Sequence, residues 1–470
     1  MNRNPKIAIR GALLPVGLAA GIGLVALPGV VLAYTLLGIS LGISTAGNGY
    51  QRDVRVDNTF ADAASNNNNV PEANHPGALG APLAVWKGAQ AWASDTFDAQ
   101  INAFVNKNFD IDWQGAASNP NAGNVVSAND PLSSCSGGVL AYTEPTSGGW
   151  RMSFCDASWT WSDGPGAPSG AQIDIQGVAA HEYGHALGMG HSQTANCPGS
   201  GCGNNPTMCA FICGSGLSAR DLAQDDINGL GAIYGTAPAG KPHISGISGS
   251  TMVGGLLTIS GTNFAGTVNV KFTAGTSQNT GTIPGVVYNV ASSGGGTTVN
   301  VTIPNEAQSG NVLVWEPAQS LLSNAFPIAV LPCPTPTNFC TASPNSFSPT
   351  GATLTFSGGT LIPDNNFVLQ SFADIPPNKT CLAFYGMNTS INVVFGDGRR
   401  CIANPFYRIY PVQMSNVFGD VEYPVDLNAL PAAGQIHAGE TWGFQIMYRD
   451  PANGGAGFNS TDGLLTTWCQ

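Results

Sequence analysis

The chain has 470 residues with 28 acidic side chains and 16 Lys or Arg side chains, so its formal net charge is −12. So few basic residues indicate that no nucleic acid is bound, because neutralising phosphates requires Lys and Arg. With only 9% charged residues but 61 Gly and 32 Pro, the composition excludes long helical bundles and predicts short strands joined by turns, in about three domains.

The first predicted element is an export signal. Three basic residues among the first ten precede an apolar run over residues 11–33, and small residues stand before a cleavage site after Ala33. This pattern predicts a secretory signal over residues 1–33 and a secreted protein. The apolar run is about long enough to span a bilayer, so an uncleaved membrane anchor is the alternative. A second candidate cleavage site follows Ala46.

Eleven cysteines follow this segment, and behind an export signal they indicate disulfides. Cys135 and Cys155 are a plausible pair because each borders a predicted strand. Four cysteines are expected to staple one loop, with a zinc knot as the alternative: Cys197, Cys202, Cys209 and Cys213. The odd number leaves at least one thiol free or paired between chains.

Residues 34–236 mix helical and strand patterns and form the first predicted domain. Apolar spacing predicts helices near residues 85–92 and 175–187, and alternation predicts strands at 109–113, 138–143 and 150–154. Residues 237–242 have the composition of a linker.

Beyond the linker the helical pattern disappears. Residues 243–330 contain short alternating strands separated by Gly-rich turns, which predicts a β-sandwich. A Pro-rich run at 332–336 marks a second boundary, and residues 331–470 are predicted to form a disulfide-containing β domain. The expected fold is therefore multi-domain, with an α/β domain followed by two all-β sandwich domains.

The chemistry is concentrated in an eleven-residue window that contains three of the six histidines. On a helix, His181 and His185 lie about 40° apart on successive turns, so both can bind one metal ion. Glu182 points about 100° away and reaches a water held by the metal rather than the metal itself. Gly188 tolerates a positive φ, so the helix can end there and the chain can bring His191 round.

Three neutral imidazoles leave one tetrahedral position open, which distinguishes a catalytic zinc from a structural one. Zinc lowers the pKa of its bound water towards about 7, and Glu182 would take the proton and pass it to the leaving amine. The pattern predicts zinc-dependent hydrolysis of an internal peptide bond. Hydrolysis of a non-peptide amide is an alternative that fits the zinc equally well.

The window matches His-Glu-x-x-His-x-x-Gly-x-x-His and so resembles the signature of the metzincin metalloproteases. Ser192 after the third histidine resembles the matrixin branch. A second block, residues 222–235, resembles the C-terminal helix of matrixin catalytic domains, in which an acidic pair, here Asp225 and Asp226, anchors the helix beneath the site.

This resemblance covers residues 50–236 and implies a metzincin-type α+β fold with a twisted mixed sheet and an active-site helix. It also implies that zinc is bound by His181, His185 and His191. By the same resemblance, Glu182 is the catalytic base and Met208 forms the methionine turn beneath the metal. The segment between His191 and Met208 is longer than usual in the family, so substrate preference cannot be transferred. No cysteine precedes Cys135, so the family's inhibitory pro-segment thiol is absent.

Calcium is a candidate structural cofactor. Asp156, Asp163 and Asp174 could ligate it, and a solvated acidic loop is the alternative. A second, structural zinc is not supported, because only three histidines lie outside the motif.

The two β segments carry weaker resemblances. Residues 257–264, with 309–312 and 323–324, resemble an immunoglobulin-like IPT/TIG module, for which a spacer without a ligand is the expectation. The last segment loosely resembles C-terminal modules of secreted bacterial proteins. Its aromatic residues are expected to pack in a core, with glycan binding as the alternative.

These observations lead to one main hypothesis and one rival. The main hypothesis is a secreted zinc endopeptidase that acts on proteins or peptides. Its two β modules would then serve spacing or contact with a cell surface or extracellular matrix. The rival is a cell-surface binding protein or adhesin with a vestigial metal site.

Overall fold

The computed structural model describes residues 7–8, 34–42, 51–60, 63–97, 106–117, 119–128, 134–146, 149–193, 206–212, 217–274, 285–389 and 391–469. The chain divides into two compact units, Met1–Thr251 with Leu257–Val330, and Met252–Leu256 with Leu331–Gln470. Within the described ranges, no helix has the length and apolar character needed to cross a bilayer. Apart from residues 7–8, the predicted signal lies outside these ranges, so it stays a prediction.

The described residues of the first unit form three helices, α1 (Gly80–Gln90), α2 (Ile175–Ala186) and α3 (Gln224–Tyr234). Its strands before residue 240 are β1 (Ile7–Ala8), β2 (Thr35–Leu36), β3 (Asp53–Asp57), β4 (Asp112–Ala116), β5 (Val125–Ser127), β6 (Ala141–Thr146), β7 (Gly149–Phe154), β8 (Trp161–Ser162), β9 (Ile173–Asp174), β10 (Met189–Gly190) and β11 (Phe211–Ile212). Three 3₁₀ turns complete this part: Ala63–Asn66, Asp156–Ser158 and Ser218–Arg220.

A five-stranded sheet with the order β4-β3-β5-β7-β6 lies at the centre of this part. All neighbours are parallel except β6, which runs antiparallel to β7 and forms one edge of the sheet. Helices α1 and α2 pack so closely that a Cβ on Gly88 would lie 2.5 Å from the Gln176 carbonyl oxygen. Their apolar sides enclose large buried rings, among which Trp86 stacks on Trp113 with centroids 4.7 Å apart. The predicted combination of a mixed sheet and a buried helix over residues 175–187 is therefore present.

Beyond residue 240, the regular elements that the structure describes in the first unit are strands: β12 (His243–Gly249), β13 (Leu256–Thr262), β14 (Thr267–Phe272), β15 (Val286–Ser293), β16 (Thr298–Thr302), β17 (Gly310–Glu316), β18 (Leu321–Leu322) and β19 (Phe326–Ile328). Their order is β12-β13-β16-β15-β14-β17-β18, with β19 also paired to β17. Alternation is clear in β13, where Leu257 and Ile259 are buried between more exposed neighbours. The β-rich prediction holds for this segment, whereas its assignment as an IPT/TIG module stays a prediction.

This β segment covers the β4 edge of the five-stranded sheet. The Asn311 side chain accepts a hydrogen bond from the Trp113 N–H (2.7 Å), and the Thr273 hydroxyl donates to the Trp113 carbonyl (2.6 Å). Lys271 is fully buried and forms ion pairs with Asp53 (2.6 Å) and Asp112. The predicted linker at residues 237–242 is thus not a boundary between compact units, because both sides of it lie in the first unit.

The second unit is also β-rich. Its strands are β20 (Thr337–Phe339), β21 (Thr355–Ser357), β22 (Val368–Ser371), β23 (Thr380–Gly386), β24 (Val393–Phe395), β25 (Gly398–Arg400), β26 (Tyr407–Arg408), β27 (Gln413–Met414), β28 (Val421–Pro424), β29 (Thr441–Arg449), β30 (Phe458–Ser460) and β31 (Gly463–Thr467). Its 3₁₀ turns are Ile362–Asp364, Leu427–Ala429 and Ala432–Gly434. A seven-stranded sheet centred on β29 and β23 packs its aromatic side chains with those of a three-stranded sheet, β21-β22-β28. The aromatic residues Phe367, Phe444 and Trp468 lie in this core, as the sequence led us to expect.

The cysteine predictions are resolved in part. Cys135 and Cys155 form the predicted disulfide. In the second unit the disulfides are Cys333–Cys469 and Cys340–Cys401, and Cys381 is a buried free thiol. Cys209 is also disulfide-bonded, but the other three cysteines of the predicted stapled loop lie outside the described residues.

Candidate metal centre

Helix α2 carries the first two predicted metal ligands. Asp174 caps its N-terminus by accepting a hydrogen bond from the Gly177 N–H (2.9 Å), and Arg220 contacts both oxygens of the same carboxylate (2.8 and 2.7 Å). The start of the helix is therefore fixed. His181 and His185 follow on successive turns, with ring centroids 4.8 Å apart.

The third histidine reaches the same place because the helix ends sharply. Gly188 has a φ of +102°, as the sequence motif predicts, and a Cβ there would lie 2.2 Å from the Ile39 carbonyl oxygen. The chain then forms β10, which pairs with β2, and the Thr35 hydroxyl donates to the His191 carbonyl (2.8 Å). The His191 ring lies 4.8 Å from that of His185 and 5.3 Å from that of His181.

Replacement of Gly188 by alanine is expected to weaken zinc binding by at least about tenfold. The added Cβ meets a backbone oxygen and the positive φ is strained for alanine, so the segment that carries His191 must shift. Zinc affinity measured with a competing chelator would test this. Gly231→Ala is the matched control, since a Cβ on this glycine of α3 meets nothing within 4 Å. Equal zinc affinity of the two variants would contradict the expectation.

Two imidazoles are oriented by backbone carbonyls. The Nδ1 of His181 lies 2.6 Å from the Thr207 carbonyl oxygen, and the Nδ1 of His185 lies 2.8 Å from that of Met189. A carbonyl can only accept, so each Nδ1 carries the proton and each Nε2 keeps its lone pair for a metal. The Nε2 atoms of His185 and His191 are 3.2 Å apart, close to the ~3.3 Å between two nitrogens on one tetrahedral zinc.

The electrostatics of the site suit a cation. Burial and the neighbouring imidazoles lower the pKa of His181 well below its ordinary value, and they lower the pKa of His185 to about 4. Burial also lowers the pKa of His191. The three rings are therefore neutral at neutral pH, the form that binds metals. The His181 Nε2 is buried and has no hydrogen-bond partner, so a metal ion would satisfy it. Within the described ranges, these histidines form the only group of three or more side chains suited to hold a metal.

Glu182 follows His181 in helix α2 and is fully buried. Its Oε2 accepts a hydrogen bond from the Thr143 hydroxyl (2.9 Å), whereas its Oε1 is buried without a partner. Burial raises the pKa of Glu182 to about 8, and the hydrogen bond from Thr143 opposes this rise. One carboxylate oxygen thus has no hydrogen-bond partner in the part of the chain that the structure describes.

Met208 lies against helix α2. It is fully buried, and a Cβ on Gly184 would be only 2.2 Å from its sulfur, so the methionine packs between the turns that carry His181 and His185. Its carbonyl accepts a hydrogen bond from the Ser192 N–H (2.8 Å). The assignment of Met208 as a methionine turn stays a prediction.

The acidic pair of α3 connects this turn to the third histidine. Asp226 accepts hydrogen bonds from the backbone N–H groups of Thr207 (2.8 Å) and Met208 (3.2 Å), and burial raises its pKa to about 6. Asp225 accepts one from the Ser192 hydroxyl (2.5 Å). The two carboxylates therefore hold the chain on both sides of the site.

The candidate calcium ligands do not come together. Asp174 is committed to Arg220 and to the start of α2, and one oxygen of Asp163 accepts from the Asn68 N–H (2.7 Å). Asp174 is therefore not available as a calcium ligand, and a calcium site stays a prediction without support from these side chains.

Sequence reasoning overlooked three residues that contact the site. Thr143 lies in a strand that alternation predicts, but nothing in the pattern marks its hydroxyl. Thr207 acts through its backbone carbonyl and Thr35 pairs across a long sequence separation, so neither leaves a local signal.

Comparison with known proteins agrees with this geometry. Residues 127–235 match the matrixin family model. This segment is a matrixin-like domain. Over 106 residues the chain is 37% identical to human matrix metalloproteinase-27, covering 22% of this chain and 17% of that protein. Human neutrophil collagenase is 38% identical over 99 residues (21% and 18% covered), and metalloendoproteinase 5-MMP of Arabidopsis thaliana is 33% identical over 107 residues (22% and 27% covered).

The chain thus spans less than a third of the length of each of these relatives. Among solved structures, the SGBP-B protein of a Bacteroides uniformis xyloglucan utilisation locus aligns at 14% identity with a TM-score of 0.16, over 45% of this chain and 66% of that chain. This score is too low to define a fold for the β segments.

Proposed function

We propose that this protein is a secreted zinc-dependent endopeptidase. The observation that carries the proposal is the convergence of three neutral histidine nitrogens within a matrixin-like domain, two of them on the helix that also carries Glu182 with its unpartnered Oε1. His181, His185 and His191 would hold the ion. When bound, zinc lowers the pKa of a water molecule and polarises the substrate carbonyl.

Strand β6 would bind the substrate. It is an edge strand of the five-stranded sheet as far as the described residues show, and its Thr143 side chain contacts Glu182. An extended peptide that pairs with this edge gains backbone hydrogen bonds and passes in front of the catalytic glutamate. Pairing through the backbone fits a protease that acts within unfolded or extended segments.

Glu182 would act as the base and then as the acid. Its free Oε1 accepts a proton from the attacking water and returns it to the leaving amine, so the carboxylate is regenerated after each cycle.

Removal of zinc is expected to abolish proteolysis. The purified, zinc-loaded protein should cleave an unfolded protein such as reduced casein, with internal cuts identified by mass spectrometry. Dialysis against a chelator should lower the rate at least about 100-fold, because the charge stabilisation that the ion supplies is lost. Stoichiometric zinc should restore the rate. A folded, zinc-loaded protein that cleaves nothing would argue for the adhesin hypothesis.

Secretion and attachment belong to the same proposal. The apolar run before Ala33 supports export, and the three disulfides with both partners described suit an oxidising compartment. N-terminal sequencing of the protein recovered from culture medium would distinguish cleavage after Ala33 from cleavage after Ala46 and from an uncleaved anchor. Contact with a cell surface or matrix would fall to the two β modules, residues 243–330 and 331–470.

A further inference from the structure

Thr143 makes a contact with the catalytic glutamate that nothing in the zinc-binding motif requires. It lies on β6, and its hydroxyl oxygen is 2.9 Å from the Glu182 Oε2 and 2.9 Å from the Glu182 backbone carbonyl oxygen. The Thr143 side chain is nearly buried and Glu182 is completely buried. The contact therefore joins the open edge of the sheet to helix α2 out of reach of bulk water.

A hydroxyl has one proton to donate, and a carboxylate is a stronger acceptor than a backbone carbonyl. The Thr143 hydroxyl therefore donates to the Glu182 Oε2 when the carboxylate is ionised. The other oxygen, Oε1, is left without a partner. The two oxygens of one carboxylate are thus made unequal by a neighbouring side chain.

We propose that Thr143 is a positioning residue that holds Glu182 by its Oε2 and so presents Oε1 as the basic atom. This inference rests on the proposed peptidase function and deepens it. A glutamate has three rotatable side-chain bonds, and without an anchor its carboxylate can leave the geometry needed for proton transfer. Because Thr143 also lies on the strand proposed to bind the substrate, it links substrate pairing to the placement of the base.

The test uses the full-length protein with two substitutions at this position. Thr143→Val keeps the shape of the side chain and removes the donor, whereas Thr143→Ser keeps the donor. We expect Thr143→Val to lower kcat about 10- to 100-fold with KM, zinc affinity and melting temperature close to those of the native protein, since misplacing a catalytic group has effects of this size. Thr143→Ser should retain most of the native kcat.

Ser153→Ala is the matched control. Ser153 lies on the adjacent β7 and is equally buried, but its hydroxyl has no hydrogen-bond partner, so the change should leave kcat unaltered. A native kcat in Thr143→Val would overturn the inference, as would an equal loss in the Val and Ser variants. A change confined to KM or to the melting temperature would show a structural role and also overturn it.

A second readout does not depend on activity. Crystal structures of the metal-free native protein and of Thr143→Val should differ in the Glu182 side chain, which should leave its native rotamer in the variant. An unchanged Glu182 in Thr143→Val would overturn the inference even if kcat falls. If the native protein cleaves no peptide, the proposed function fails, and this comparison still decides whether Thr143 anchors the carboxylate.

Discussion

Glu182→Gln is expected to bind zinc as the native protein does and to lose about 10²- to 10⁴-fold in kcat, the usual contribution of a general base. Glutamine has the same shape, and its carbonyl oxygen can still accept the hydrogen bond from Thr143, so the packing around α2 should persist. What is lost is the ability to accept a proton from water. Zinc content by elemental analysis and kcat on a peptide substrate would measure the two effects separately.

The control is Glu306→Gln, which makes the same chemical change at an exposed position of the β segment and should leave both quantities unaltered. If Glu182→Gln kept native turnover, the base would be another group and the mechanism proposed above would be wrong. If it lost zinc, Glu182 would be part of the metal site rather than its neighbour.

Lys271→Met is expected to lower the free energy of unfolding of the first unit by about 3–5 kcal/mol, the usual result of removing one partner from a buried ion pair. Lys271 is fully buried and neutralises Asp53 and Asp112. Asp53 keeps Arg55 as a second partner (3.0 Å), so Asp112 becomes the uncompensated charge. Burial already raises the pKa of Asp112, and Lys271 opposes that rise. Urea unfolding of the full chain, followed by tryptophan fluorescence, would report the loss.

The double variant Lys271→Met, Asp112→Asn distinguishes charge from packing. Asparagine retains an oxygen that can accept the hydrogen bonds from Asn311 and Gln114, so removing both charges should restore most of the lost stability. Native-like unfolding of Lys271→Met alone would mean that the ion pairs contribute little. An additive loss in the double variant would attribute the effect to the shape of the lysine rather than to its charge.

The site was largely predictable because its signal is local. The histidine spacing predicts a helix through His185, the glycine at 188 predicts its end, and His191 predicts that the chain turns back. The structure has all three features. The positions of Met208 and the Asp225–Asp226 pair followed from the family resemblance, not from any physical pattern in the residues. The contact of Thr143 with Glu182 joins residues 39 positions apart and left no periodicity to detect.

The packing of the β segment on the five-stranded sheet was not predictable for a related reason. In β14 the side chains of Val268 and Val270 alternate with Asn269 and Lys271, a pattern typical of one buried and one solvated face. Both faces are buried, because the face that carries Lys271 lies against residues 218 positions earlier in the chain. Alternation identified the strand correctly, but a lysine bound to distant aspartates looks the same in sequence as one in water.

The covered edge at β4 has a consequence for how substrates reach the metal ligands. A sheet with two exposed edge strands could pair with an extended polypeptide at either edge. Pairing at the edge far from Glu182 would not lead to cleavage under the proposed function. Here the β4 edge is covered by later residues of the same chain, because Asn311 and Thr273 form hydrogen bonds with its backbone. Under the proposed function, a substrate that extends this sheet would therefore pair with β6, the strand whose Thr143 contacts Glu182.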